Sequence, residues 1–171
     1  MENLNTLAVQ IRETGEANGW DLVFRPDWDS SDTKIPCMLA LIHSEISETY
    51  MEKFTGDSDG LAAEFADIAI RVLDLAGGLT EDFAAYVARV EGTFLDDDTA
   101  QAFLSLHHIT TYALEAFRND ELLKFLGALA LLLSATEHFA MGRFNIKLNT
   151  AVVEKMDVNR HRSYRHGGKR V

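Results

Sequence analysis

Apolar residues in this chain recur at helical spacing almost throughout, and strand-like alternation is nearly absent, which leaves few options other than an all-α fold. Leu4, Leu7, Ala8 and Ile11 follow the i, i+3, i+4, i+7 pattern and predict an amphipathic helix over about 2–17, ending near Gly19. Both prolines, both tryptophans and an Asp/Ser cluster (Asp27–Asp32) fall within Gly19–Pro36, which therefore reads as an ordered loop. A second helix is expected from Pro36 to about Phe54, with proline in the first turn where its missing N–H costs little. Gly56–Gly60 reads as a turn. A third helix is expected from about Gly60 to Leu75, stopping at Gly77-Gly78.

Glu81–Val90 predicts a short helix, and Asp96-Asp97-Asp98-Thr99 marks the start of the next one. Helices are then expected over about 99–118 and 120–140, broken at Asn119-Asp120, with a last one over about 147–159. The predicted architecture is one domain, residues 1–171, built as a bundle of antiparallel helices. Residues 61–70 can be laid on 121–130, and the His43 helix on the His107/His108 helix, in the same order. Either a duplication whose second copy lost its acids, or the chance likeness of two amphipathic helix pairs, accounts for this. The extra pair occupies about 95–142.

The length, 171 residues with 47% hydrophobic content, is enough for an ordinary core without cross-links. A lone Cys37 forms no internal disulfide and reads as a small hydrophobe. The N-terminus has no basic segment followed by an apolar one, and the longest apolar run is far below the roughly 20 residues that span a bilayer. The expectation is a cytoplasmic protein without a membrane partner.

There are 27 Asp+Glu against 16 Lys+Arg, a net charge of −11 that argues against a nucleic-acid polymer as partner. The charge is uneven. Residues 154–171 carry +4 and residues 1–153 carry −15.

Glu45 and Glu48 on the second helix, and Glu64 and Asp67 on the third, are each spaced i, i+3 and so share a helix face. Both pairs border apolar stripes. Unpaired carboxylates there repel one another and are costly to bury. A divalent cation resolves that conflict, and an all-oxygen set without Cys or His favours Mg²⁺ or Mn²⁺ over Zn²⁺. The competing reading is two solvated acidic helix faces. Asp74 reads as structural. His43, one turn before the acids, reads either as a hydrogen-bond partner of a ligand carboxylate or as a satisfied interior histidine. His107-His108 reads as packing.

The segments Leu41–Glu48 (LIHSEISE) and Glu64–Leu75 (EFADIAIRVLDL), with 15 residues between Glu48 and Glu64, resemble the ExxE…ExxD signature of the MazG-like branch of the all-α nucleotide pyrophosphohydrolases. The ending Lys155–Lys169 (KMDVNRHRSYRHGGK) is similar to that branch's K-x-x-x-N segment and R-x-Y-x-H-G-G-K finish. Gly19-Trp20 and Lys34-Ile35-Pro36 also look like it. The likeness covers about 7–90 and 147–171. Many relatives have a second Glu where Ser44 stands here, which bears on a second metal position.

The resemblance implies Mg²⁺-dependent hydrolysis of (d)NTPs between the α- and β-phosphates, giving the monophosphate and pyrophosphate in a nucleotide-pool or housecleaning role. Purine deoxynucleotides are the implied preference. It implies metal ligation by Glu45, Glu48, Glu64 and Asp67, with catalytic roles for Glu45 and Glu48 and with Glu45 the first choice to activate water. Lys155, Asn159, Arg162, Tyr164, His166 and Lys169 would bind substrate phosphates. Trp20 reads, apart from the resemblance, either as an aromatic face for the base or as a loop tryptophan packed onto the bundle. A homo-oligomer, dimer or dimer of dimers, is also implied. Two rival readings are a di-iron carboxylate bundle, which wants Glu-x-x-His motifs this chain lacks, and a noncatalytic nucleotide-binding or scaffold bundle.

Overall fold

The computed structural model describes residues 3–29, 33–90 and 98–164. It is all-α. The helices are α1 (Leu4–Ala17), α2 (Lys34–Glu52), α3 (Ser58–Leu79), α4 (Ala84–Val90), α5 (Thr99–Arg118), α6 (Leu122–Phe144) and α7 (Leu148–Arg160), with one 3₁₀ turn at Arg25–Asp27 and no strand among the described residues. The expected Asp96-Asp97 part of the α5 start, and the tail residues Arg165, His166, Lys169 and Arg170, lie outside the described residues.

Short connections fold α2 against α3 and α5 against α6 as two antiparallel hairpins, α2 beside α5 and α3 beside α6. A duplicated hairpin gives this arrangement, and so do two unrelated amphipathic hairpins. Helix α3 is central, packed by α1, α2, α6 and α7. Accordingly Phe65, Ala66, Ile68, Ala69, Val72 and Leu73 are all fully buried. One end of the bundle is aromatic: Phe139 meets Phe103 at 5.0 Å, Phe144 at 5.5 Å and Phe65 at 5.8 Å between ring centroids. At the other end Trp28 closes the α5–α6 hinge, edge-on to Phe117 and Phe125, its Nε1 donating to Asp120 Oδ1 at 2.7 Å.

Helix starts follow local chemistry. Asp57 caps α3 by accepting from Asp59 N and Gly60 N at 3.0 and 3.1 Å, and Asp98 caps α5 by accepting from Gln101 N at 2.9 Å. Two expectations need correction. Helix α3 does not stop at Gly77-Gly78 but runs through both to Leu79. A Cβ on Gly78 would collide with the Val23 carbonyl and crowd the Arg12 guanidinium, so this glycine permits close packing and is not a stop signal. The run-length test also missed that α6 is long and apolar enough to cross a membrane, with mean hydropathy 1.4 over 18 residues. Of that window 61% is buried, and its apolar residues face α3, α4 and α5, as in a core helix.

Arg12 fastens α1 and the segment around Val23 to α3. Its guanidinium donates to the Asp74 carbonyl at 2.9 Å, the Asp74 carboxylate at 3.2 Å and the Val23 carbonyl at 2.7 Å. Burial pushes the Asp74 carboxyl up, against the pull of Arg12 and then Arg71. Asp74 thus ties Arg12 to α3 while also lining a cavity.

Candidate functional site

A cavity of about 770 Å³ runs along one flank of the bundle, between α1, α2, α3 and the end of α7. Helix α2 lines it with one stripe, Lys34, Met38, Leu41, Glu45 and Glu48, whose spacings of three or four residues keep these side chains on a single face. Helix α3 contributes Glu64, Asp67 and Arg71, and α7 contributes Lys155 and Asn159, with Arg162 just beyond it. The acids and the basic chain end, far apart in sequence, therefore line one space because α7 packs directly on α3.

Within the cavity, carboxylate oxygens of Glu45, Glu48 and Glu64 lie within 4.8 Å of one another. Glu45 is buried, Glu64 half-buried and Glu48 exposed. Burial pushes the Glu45 carboxyl above the ordinary carboxylate range; Arg71 pulls it down and Asp67 pushes it up again. Burial likewise raises Glu64, helped by Asp67 and opposed by Lys155.

The fourth predicted ligand, Asp67, is not within 4.8 Å of all three and is ion-paired to Lys155 at 2.5 Å. Glu45 is similarly held, Oε1 accepting from Arg71 Nε at 3.1 Å. Two acidic groups thus take internal cations, as expected of carboxylates taken partly out of water. Ser44, where many proteins of the resembled branch carry Glu, donates to Glu48 Oε1 at 2.8 Å and so orients that carboxylate.

Among the described residues, two buried side-chain acceptors have no hydrogen-bond partner, Glu64 Oε2 and Asn159 Oδ1, and both residues line this cavity. Orphaned acceptors are costly. A hard cation would meet the need of Glu64, and an all-oxygen donor set is of the kind that suits Mg²⁺ or Mn²⁺.

The other predicted residues divide. Trp20 lines the cavity, as do its neighbour Asp21 and Lys34, which is ion-paired to Asp21. Tyr164 does not line it; its ring lies over Gly19, where a Cβ would overlap it, and the left-handed φ of 81° there also favours glycine. His166 and Lys169 lie outside the described residues. Cys37 is not the packed hydrophobe expected but is exposed at the cavity. His43 turns away from the acids: its ring stacks on that of His107, with Nδ1 to Nδ1 at 2.7 Å. That pairing agrees with the packing reading of both histidines.

Sequence reasoning missed Arg71. Its i, i+4 spacing from Asp67 puts it near the acidic face, but its partner Glu45 lies on α2, which spacing within α3 does not show. Set against models of protein families, curated proteins and solved structures, the chain matches none of them.

Proposed function

We propose that this protein is a Mg²⁺-dependent (d)NTP pyrophosphohydrolase, built on a helix bundle of the MazG-like type, that releases the nucleoside monophosphate and pyrophosphate. The observation that carries this reading is the convergence in one cavity of three clustered carboxylates and the Lys155–Asn159–Arg162 face, two orphaned acceptors included. Acids alone suit a cation and basic groups alone suit an anion. Their meeting in a cavity of this volume suits a cation-bound polyphosphate, and the resemblance of the motifs points the same way.

Glu45, Glu48 and Glu64 would hold the metal, with Asp67 joining them once Lys155 is drawn to phosphate. The bound ion would neutralise phosphate charge and favour departure of pyrophosphate. Glu45, in its ionised form, would take the proton of the attacking water, and the partial burial that raises its carboxyl makes that carboxylate a stronger base. Ser44 holds Glu48 in place. Asn159 and Arg162 would present donors to phosphate oxygens, and Trp20, which also lines the cavity, would offer an aromatic face for the base.

One observation favours a second reading. The Lys155–Asp67 and Arg71–Glu45 pairs leave the acid cluster partly neutralised by its own cations, as in a noncatalytic bundle. Glu48→Gln separates the two. Glu48 is exposed, so the fold should be nearly unaffected, while turnover should fall by about 100-fold or more. Equal rates for wild type and variant in a nucleotide assay with Mg²⁺ would count against the enzymatic reading.

A further inference from the structure

Two of the four Lys and Arg side chains that line the cavity have their charged ends committed to carboxylates. Lys155 is held by Asp67 and Lys34 by Asp21 and Asp27. Arg71 is engaged differently. Its Nε donates to Glu45 Oε1 at 3.1 Å, which uses one of the five N–H bonds of a guanidinium. Among the described residues its two terminal nitrogens, with four N–H bonds, have no hydrogen-bond partner, and the side chain lines the cavity at 27% exposure. The bond through Nε fixes the plane of the guanidinium. It occupies one Glu45 oxygen, leaving the other for the site.

A planar donor fork anchored at one edge presents two parallel N–H groups, a geometry that matches a pair of phosphate oxygens and that lysine cannot reproduce. Arg71 is bonded to Glu45, a member of the clustered trio, so a group that binds its fork lies beside the acid cluster.

From this placement we propose that Arg71 is a phosphate-binding residue, gripping nonbridging oxygens of the pyrophosphate part of the substrate through its terminal nitrogens while Glu45 anchors its Nε. This rests on the pyrophosphohydrolase reading for the identity of the substrate, and adds to it the group that holds the leaving pyrophosphate. The same bond couples the two halves of the site, because a fork that tightens on phosphate also fixes the carboxylate beside it.

The test is calorimetric binding of inorganic pyrophosphate, in Mg²⁺, to the wild-type protein, Arg71→Lys and Arg71→Gln, with circular dichroism to confirm that each is folded. Arg71→Lys keeps the charge and loses the fork, so affinity should drop about 10-fold or more, and further in Arg71→Gln. The Mg²⁺-induced rise in melting temperature without pyrophosphate should persist in Arg71→Lys. Unchanged pyrophosphate affinity in both folded variants, or no binding by the wild type, overturns the assignment. The two ideas fail separately. Arg71-dependent pyrophosphate binding without nucleotide turnover would sink the enzymatic reading and keep the anion site. Turnover with Arg71-independent binding would do the reverse.

Discussion

Glu64 places one carboxylate oxygen in the cavity wall with no hydrogen-bond partner, and burial followed by Asp67 raises its carboxyl. A carboxyl raised in the folded state contributes stability fully below its unfolded value, and loses it as pH rises through the raised one. At neutral pH without a divalent cation this group therefore works against the fold. Glu64→Gln should melt higher than the wild type in chelator at neutral pH, by at most about 1 kcal/mol because the cavity opens to solvent. In Mg²⁺ the order should shift. The wild type should gain up to about 2.7 kcal/mol at a hundredfold excess over its dissociation constant, and the variant much less. Thermal melts with chelator and with Mg²⁺ check both, and equal Mg²⁺ gains would remove Glu64 from the cation site. The i, i+3 acids were legible in the sequence because spacing alone places them on one face. Arg71 was not, since its partner Glu45 lies across a helix interface that spacing within α3 does not reveal.

Helix α3 passing through Gly77-Gly78 shows where local signals lose to packing. A glycine pair reads as a stop because it is costly inside a helix, about 1 kcal/mol each relative to alanine. Here the Val23 backbone needs the space, and that contact depends on where Arg12 pins the loop. Gly78→Ala should therefore destabilise, by about 1–3 kcal/mol in urea unfolding, although alanine is the better helix former. A gain in stability would show that the close approach is not needed.

The α2–α5 contact carries the His43–His107 stack. Burial lowers both imidazoles, and at His107 the neighbouring His43 and then His108 add to it. A base lowered in the folded state leaves the unfolded chain binding more protons between the lowered value and about 6.5, so the contribution is complete above about pH 6.5 and shrinks as pH falls below it. The stability advantage of the wild type over His107→Asn should accordingly narrow between about pH 7 and pH 5 in denaturant titrations at fixed pH steps. A pH-independent difference would mean the pair does not titrate with folding.

At the scale of the whole molecule, the uneven charge of the chain becomes spatial: α7 docks on α3 and sets Lys155 against Asp67 in the cavity wall. Helix number and order were readable because 3.6-residue periodicity is a local property of Leu, Ile, Ala and Phe positions. Which helices touch was not, because the α3–α7 and α2–α5 contacts join residues distant in sequence. The burial of α6 was equally hidden, since apolar content does not distinguish a core helix from a spanning one. Met51 and Phe54, at the end of the α2 hairpin, are exposed apolar side chains, each 64% accessible.

The most direct measurement is phosphorus NMR of the products formed from each (d)NTP in Mg²⁺ or Mn²⁺. The proposed chemistry gives the nucleoside monophosphate and pyrophosphate in equal amounts. Nucleoside diphosphate with orthophosphate, or no turnover with either metal, would contradict it.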